Sequence, residues 1–258
     1  MNQPDEKYTR ETITDILPLT PSLFSFRCTR HDGFRFTAGQ FARLGVRTER
    51  GNLVWRAYSM VSSPYDEFLD FFSIVVPDGQ FTSVLSRLEV GDELLIEKQP
   101  QGFLTLDRFV DGSNLWMLAT GTGVAPFLSI LQDFEVWERF ERIVLVYSVR
   151  TEAELAYRDL LEELLTREYV APHAYKLVFV PVVTREQVDG CLDERITALL
   201  ENGRLEETAG IRMTPEQSRV LICGNPQMVD DTRKLLKQRD MQLSLTRRPG
   251  QVAVENYW

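Results

Sequence analysis

The sequence contains few of the residues that most often bind metals. Its 258 residues include three cysteines and two histidines. Cys28, Cys191 and Cys223 are too widely spaced for the paired-cysteine motifs of zinc and iron–sulfur sites, and three cysteines cannot all pair as disulfides. The sequence therefore predicts no metal site, and we expect His31 and His173 to be ordinary surface or turn residues.

Long hydrophobic runs are also absent. The longest apolar run, Leu177 to Val183, is far too short to cross a bilayer. Residues 1–10 are polar and do not resemble a secretory signal peptide. We therefore expect a cytoplasmic protein that does not insert into a membrane.

Net positive charge is lacking, with 29 Lys and Arg against 38 Asp and Glu, a formal charge of −9. This balance disfavours general nucleic-acid binding, because nucleic-acid phosphates are negative. Two basic islands stand out locally, at residues 27–56 (seven Arg, two acids) and 233–248 (six basic residues, one acid). Each island is either a solvated face or a set of arginines that bind phosphate or carboxylate groups.

The first part of the chain has the pattern of an antiparallel β domain. Short apolar or alternating runs are separated by turn signals such as Asp32-Gly33 and Gly91-Asp92. They predict strands at 23–28, 39–46, 55–61, 68–76 and 93–98, with a helix at 82–88. Many short strands at this spacing are typical of a barrel or sandwich.

The pattern changes to alternating strands and helices near residue 112. Compact apolar runs predict buried parallel strands at 115–120, 143–149, 177–183 and 220–223, and amphipathic patterns predict helices at 152–168 and 227–239. The sequence thus predicts two domains, residues 1–110 and 111–258, with a firm interface near 103–114.

A glycine-containing turn follows the first of these parallel strands. Gly121-Thr122-Gly123 would let a phosphate approach the backbone amides at the start of a helix, although an ordinary tight turn has the same residues. Pro126 stands where the usual dinucleotide fingerprint has its third glycine. We interpret the turn as a nucleotide site of a non-standard kind.

The ends of the next strands carry arginines where an NAD site usually places an acid. Arg150 ends the second strand, Thr184 and Arg185 end the third, and Arg195 follows shortly after. Ligands bind beyond the carboxyl ends of parallel strands, so these residues favour NADP over NAD. Alternatively, they are surface arginines of an arginine-rich chain.

Three further motifs are informative about function only when they are taken together. Arg56-Ala57-Tyr58-Ser59 combines a guanidinium for pyrophosphate, a ring that can stack and a hydroxyl that can bond a ring nitrogen. A glycine turn with a Thr/Ser helix start follows at 77–83, and Cys-Gly-Asn-Pro lies at 223–226. Alone, each is compatible with ordinary structure.

In this order, and with the Gly-Thr-Gly turn between them, the motifs resemble the ferredoxin–NADP⁺ reductase family over nearly the whole chain. The ending Val254 to Trp258 resembles that of the bacterial, flavodoxin-linked branch. The resemblance implies an N-terminal antiparallel β-barrel FAD domain and a C-terminal α/β parallel-sheet NADP-binding domain.

The resemblance also implies roles for individual residues. Arg56 would hold the FAD pyrophosphate, Tyr58 would stack on the isoalloxazine, and Ser59 would lie near flavin N5. The remaining FAD positions are Ala57, Phe72, Ser73, Ile74, Gly79, Gln80, Phe81, Thr82, Ser83 and Thr120. The positions for the 2′-phosphate side of NADP are Arg150, Thr184, Arg185 and Arg195.

The chain ends in two aromatic residues, Tyr257 and Trp258. By the same resemblance, one covers the flavin ring and the other stacks on the FAD adenine. If Tyr257 covers the flavin, it must move before nicotinamide can stack there. Removal of both residues should then strengthen nicotinamide binding and weaken FAD retention.

The activity implied is hydride transfer between NADPH and flavin N5, coupled to a one-electron carrier, ferredoxin or flavodoxin. Ser59, Cys223, Glu255 and Tyr257 are the expected catalytic residues. Of these, Cys223 and Glu255 are the expected neighbours of the reacting nicotinamide, although Cys223 could equally be a small buried apolar residue. We expect a monomer. A flavin reductase, the reductase component of an oxygenase and a non-catalytic NADP-sensing module remain alternatives.

Overall fold

A six-stranded antiparallel sheet dominates the first half of the chain in the computed structural model, which describes residues 7–256. Its strands are β1 (Tyr8–Thr20), β2 (Leu23–Thr29), β3 (Phe41–Arg47), β4 (Leu53–Ser59), β5 (Phe68–Ile74) and β6 (Glu93–Glu97), in the order β4-β3-β6-β1-β2-β5. The sheet curls until its edge strands meet, where Met60 pairs with Phe71 and the Val61 amide donates to the Asp70 carbonyl at 2.8 Å. This curled sheet confirms the predicted antiparallel barrel.

Alternation of side chains fills the interior of this barrel. On β3, Ala42, Leu44 and Val46 are buried, and they share a core with Phe71 of β5 and Leu94 of β6. Burial of an aliphatic or aromatic side chain of this size contributes roughly 1.5–3 kcal/mol. A short helix, α1 (Thr82–Leu85), follows β5.

A five-stranded parallel sheet forms the second half and confirms the predicted α/β architecture. Its strands are β7 (Asn114–Thr120), β8 (Arg142–Val149), β9 (Leu177–Val183), β10 (Ser218–Gly224) and β11 (Val252–Asn256), in the order β11-β10-β7-β8-β9. The helices are α2 (Ala125–Leu131), α3 (Phe134–Arg139), α4 (Arg158–Thr166), α5 (Ile196–Glu201), α6 (Arg204–Ala209) and α7 (Pro226–Gln238). Shorter 3₁₀ turns lie at Leu106–Arg108, Gly121–Val124, Glu152–Glu154 and Ala171–Lys176.

The central strands are buried on both faces, as their continuous apolar runs predict. Leu115 and Met117 of β7 belong to one hydrophobic core, whereas Trp116 and Leu118 belong to the core on the opposite face. The chain order reverses between β7 and β10, since β8 and β9 lie on one side of β7 and β10 and β11 on the other. Ligands of such sheets bind in the crevice at this reversal.

Two features differ from the sequence pattern. The helix expected over 152–168 is interrupted at Tyr157, whose φ of 66° is left-handed, and α4 begins only at the next residue. The Tyr157 ring packs edge-on against Phe72 of β5, with centroids 4.9 Å apart. Packing against the barrel therefore overrides the local helical pattern. The strands β1 and β11 were also not predicted, because neither has a compact apolar run.

The two sheets are joined by a common core. Phe72 and Leu104 from the barrel belong to the same cluster of buried residues as Phe127 and Leu131 of α2. In the predicted contact region, the Arg139 guanidinium donates to the backbone carbonyls of Leu106 and Phe109. Among the described residues, no helix is long and apolar enough to cross a membrane.

Candidate active site

A cavity of about 490 Å³ opens where the barrel meets the parallel sheet. Its barrel side is formed by β4, β5 and the turn that follows β5, and its other side by the ends of β7 and β11. The lining residues are Arg56, Ala57, Tyr58, Ser59, Phe72, Ser73, Ile74, Val76, Gly79, Gln80, Phe81, Thr82, Thr122 and Asn256. Most of the predicted flavin positions are thus brought together around one space.

Strand β4 changes from exposed to buried as it enters the cavity. Arg56 and Ala57 are exposed, whereas Tyr58 and Ser59 are buried. The Tyr58 hydroxyl lies 2.9 Å from Ser73 Oγ on β5, and its ring centroid lies 5.5 Å from that of Phe81. Burial raises the pKa of Tyr58 to about 12, so the phenol is neutral near pH 7. Hydrogen bonding and ring packing therefore fix the orientation of this tyrosine.

Ser59 has a buried hydroxyl that no protein atom satisfies. Its side-chain oxygen is inaccessible to solvent and has no hydrogen-bond partner among the described residues. A buried polar group left without a partner costs about 1–3 kcal/mol. A ligand atom in the cavity would supply the missing partner, and the flavin nitrogen expected there has suitable chemistry.

The turn after β5 is held by the Thr82 side chain. The Val76 amide donates to Thr82 Oγ1 at 3.1 Å, and this hydroxyl lies 3.3 Å from the Val76 carbonyl. A Cβ on Gly79 would lie 2.6 Å from the same oxygen, so the turn requires glycine there. The turn places Gly79, Gln80 and Phe81 along the cavity.

A second groove of about 500 Å³ lies on the other side of Gln80. Ser83, predicted to line the flavin site, lines this groove instead, together with Arg50 and Arg87. The two spaces are neighbours because both include Gln80 in their walls.

The ends of β7 and β10 approach each other closely at the glycine turn. A Cβ on Gly123 would lie 2.5 Å from the Cys223 carbonyl oxygen, and a Cβ on Gly224 would collide with Thr120 Oγ1. Thr120 Oγ1 accepts a hydrogen bond from the Asn225 amide at 2.8 Å. Thr120 therefore connects the end of β7 to the residue that follows β10. Thr122, and not the predicted Thr120, lines the cavity.

Cys223 and Glu255 are register partners on the parallel strands β10 and β11. Cys223 is fully buried, and Glu255 Oε2 is a buried oxygen without a hydrogen-bond partner among the described residues. Burial raises the pKa of Glu255 to about 7. The next residue, Asn256, lines the cavity, so a carboxyl group that can hold a proton near neutral pH lies beside it.

The predicted phosphate-binding arginines lie at one edge of the parallel sheet. The Thr184 amide donates to the Val149 carbonyl at 3.0 Å, and the Arg185 amide donates to the Arg150 carbonyl at 2.9 Å. These backbone bonds place Arg150 and Arg185 side by side with exposed side chains. Arg195, also exposed, precedes α5 shortly after Leu192 forms a parallel bridge with β9.

Three lining residues were missed by sequence reasoning, namely Val76, Thr122 and Asn256. Thr122 lies within the Gly-Thr-Gly motif, so the motif predicted a nucleotide site at this turn but did not identify Thr122 as a lining residue. The predicted roles of Tyr257 and Trp258 concern residues that lie outside the described part of the chain.

Each half of the chain matches a family of oxidoreductase domains. Residues 18–105 match the family described as "Oxidoreductase FAD-binding domain", and residues 117–234 match "Oxidoreductase NAD-binding domain". The chain is 44% identical over 248 residues to a flavodoxin/ferredoxin–NADP reductase of Escherichia coli, with 95% of this chain and 97% of the relative covered. It is 41% identical over 237 residues to a ferredoxin–NADP reductase of Pseudomonas aeruginosa, with 91% of each covered.

A solved structure agrees with this relationship. The ferredoxin NADP⁺ reductase from Neisseria gonorrhoeae with bound FAD and NADP is 39% identical and superposes with a TM-score of 0.91. The match covers 98% of this chain and 100% of that one. As the order of its motifs predicts, the chain belongs to the family of ferredoxin–NADP and flavodoxin/ferredoxin–NADP reductases.

Proposed function

We propose that this protein transfers electrons between NADPH and a one-electron carrier, ferredoxin or flavodoxin, by means of bound FAD. The observation that carries the proposal is a single cavity built from both halves, with Tyr58 and Ser59 on the barrel side and Thr122 and Asn256 on the nucleotide side. The names and the bound cofactors of the relatives support the same chemistry.

The cavity and the neighbouring groove together fit a dinucleotide. The flavin would occupy the apolar cavity, and Ser59 Oγ would donate to a ring nitrogen in place of its missing protein partner. Arg56 would face the pyrophosphate at the cavity rim, and the groove lined by Arg50, Ser83 and Arg87 would take more of the adenosine side. When bound, FAD supplies the ability to accept a hydride and to release electrons singly.

The protein groups mainly orient the reactants. Tyr58 is held by Ser73 and Phe81 in one orientation, in which its ring would stack on the flavin. The Glu255 carboxyl, with its pKa near 7, would hold or release a proton beside the nicotinamide, and buried Cys223 would shape that part of the site. The nicotinamide would bind in the part of the cavity next to Thr122 and Asn256.

Selectivity for NADPH would come from the exposed arginines at the ends of the parallel strands. Arg150, Thr184 and Arg185 lie at the carboxyl ends of β8 and β9, and Arg195 precedes α5; the adenosine 2′-phosphate would bind beside them. Exposed arginines can bind a phosphate through paired N–H groups. We assign residues 1–110 to the FAD domain and 111–258 to the NADP domain, and we expect a cytoplasmic monomer.

The visible spectrum tests this proposal directly. The purified protein should be yellow, and anaerobic NADPH should bleach the flavin absorbance faster than NADH does. Arg150→Ala and Arg185→Ala should weaken NADPH binding and leave NADH binding unchanged. A colourless protein that cannot be reconstituted with FAD would contradict the proposal and favour an NADP-sensing module, whereas a preference for NADH would contradict the roles of the arginines.

A further inference from the structure

We propose that Gln132 is a positioning residue, whose side chain holds the barrel and the parallel sheet at the angle that sets the nicotinamide against the flavin. The inference rests on the proposed function, because it concerns the alignment of the two cofactors which that function requires. Gln132 does not line the cavity, and within residues 7–256 its side chain forms no hydrogen bond to a predicted cofactor position.

Gln132 follows the last residue of α2 and is 5% exposed. Its amide Nε2 donates to the Val61 carbonyl of the barrel at 2.7 Å and lies 3.3 Å from the Leu128 carbonyl of its own helix. Its Oε1 accepts from Arg167 Nη1 at 3.3 Å. Both ends of the amide are therefore engaged, and the side chain has a single satisfied orientation.

The hydrogen bond to Val61 is one of a short series. Ser129 Oγ of α2 donates to the Ser62 carbonyl at 2.8 Å, and Ser63 Oγ donates to the Gln132 carbonyl at 3.4 Å. The consecutive barrel residues 61–63 are thus each bonded to α2 or to the residue that follows it. These bonds are buried, where hydrogen bonds are stronger and broken ones are costly.

The two segments that these hydrogen bonds join, residues 61–63 and the end of α2, are each close in sequence to residues that line the cavity. On the barrel side, residues 61–63 follow β4, which ends at Ser59. On the other side, α2 follows the Gly121–Val124 turn, which contributes Thr122. The connection between the two cofactor sites is therefore a few residues long on each side.

Such a short, buried connection is suited to setting a distance between bound groups. Hydride transfer requires the reacting atoms to approach to about 3–3.5 Å, and a misplacement of 1 Å can lower the rate by about a hundredfold. Loss of the Gln132 bonds would allow α2 to shift relative to β4 without removing any contact to either cofactor. Alignment, and not affinity, should therefore be the property that changes.

Two substitutions of similar size test the inference. Gln132→Met removes all three side-chain hydrogen bonds, and Gln132→Glu keeps the acceptor for Arg167 but loses the donor to Val61 and Leu128. The measurements are the limiting rate of anaerobic flavin reduction at saturating NADPH, the long-wavelength charge-transfer absorbance of the flavin–nicotinamide pair, and the Kd for NADP⁺. Both variants should lower the limiting rate at least tenfold and weaken the charge-transfer band, with FAD content and Kd within twofold of the parent.

Ser218→Ala is the matched control for an effect on stability alone. Ser218 is fully buried, its Oγ accepts from the Thr214 amide at 3.1 Å, and it begins β10, whose opposite end, Gly224, lies at the glycine turn. This variant should lose stability while its limiting rate and charge-transfer band stay unchanged. If the Gln132 variants prove unstable, Ser129→Ala removes one bond of the series and should show a smaller change in the same direction.

The outcomes separate this inference from the proposed function. Failure of NADPH to reduce the parent protein would contradict the proposed function. Reduction of the parent together with an unchanged rate and band in folded Gln132 or Ser129 variants would overturn only the positioning role. A loss of rate that follows the loss of stability equally in Ser218→Ala would overturn it as well.

Discussion

Glu255 is the residue whose ionisation depends most clearly on the folded state. The Oε2 atom of its carboxyl is buried and has no hydrogen-bond partner within residues 7–256, and burial raises its pKa from 4.5 to about 7. Between these two values the folded protein binds more protons than the unfolded chain. The free energy of unfolding must therefore fall as pH rises through this range.

We predict that Glu255→Gln removes much of this pH dependence. A shift from 4.5 to about 7 corresponds to about 3 kcal/mol, so the variant should gain stability over the parent by up to that amount between pH 5 and pH 8. Urea unfolding at several pH values measures the difference. Glu162→Gln, at an exposed position of α4, is the control and should follow the parent at every pH. If the free energy of unfolding changed with pH in the same way for Glu255→Gln and for the parent, the result would contradict a buried, protonated carboxyl.

The site residues that the sequence predicts lie in continuous motifs, whereas those that it does not predict depend on where strands end. Tyr58, Ser59 and Gly79 belong to continuous motifs, and the structure places them in the cavity. Val76 belongs to no motif, and Asn256 lies in the terminal motif but was not predicted to line the site; both line the cavity because β5 and β11 end beside it. Such residues follow from topology, which single-sequence patterns do not contain.

At the scale of elements, strands buried on both faces were the easiest to predict. The predicted strands 115–120 and 143–149 lie within β7 and β8, and α7 begins at Pro226, one residue before the predicted start of the helix. The break at Tyr157 could not be read from the sequence, because the amphipathic pattern continues through it while packing against Phe72 stops the helix. The local sequence pattern therefore predicts the types of the elements, whereas a tertiary contact determines where α4 begins.

We predict that Gly123→Ala separates the ends of β7 and β10. The new Cβ would meet the Cys223 backbone at 2.5 Å, which should cost about 1–3 kcal/mol of stability and raise the Kd for NADP⁺ at least tenfold. Thermal unfolding and NADP⁺ titration measure the two effects.

Gly203→Ala is the control for backbone strain. Gly203 has a φ of 80° and no atom within 4 Å of a new Cβ, so this variant should lose about 1–2 kcal/mol and bind NADP⁺ normally. Equal NADP⁺ affinity for Gly123→Ala and the parent would show that the close approach of the strands does not shape the nucleotide site.

At the scale of the whole molecule, the distribution of charge matters more than the total of −9. Several arginines of the basic islands have internal partners, as Arg27 has with Asp70 and Arg43 with Glu97. Arg247 and Arg248, by contrast, are exposed in the turn before β11. Local positive charge of this kind can attract an acidic carrier despite a negative total.

We predict that the affinity for ferredoxin or flavodoxin decreases as ionic strength rises, because the attraction between exposed charges is screened. Arg248→Glu should weaken binding and reduce its salt dependence. Arg212→Glu, the same charge change at an exposed position before β10, should have a much smaller effect. A carrier affinity independent of ionic strength would contradict docking through the basic islands.

The most direct test of the account is a stepwise anaerobic titration of the FAD-loaded protein. One equivalent of NADPH should bleach one equivalent of flavin. Oxidised ferredoxin or flavodoxin should then restore the flavin absorbance while the carrier becomes reduced by single electrons. Bleaching by NADPH followed by transfer only to free flavin or oxygen, with neither carrier reduced, would contradict the central claim.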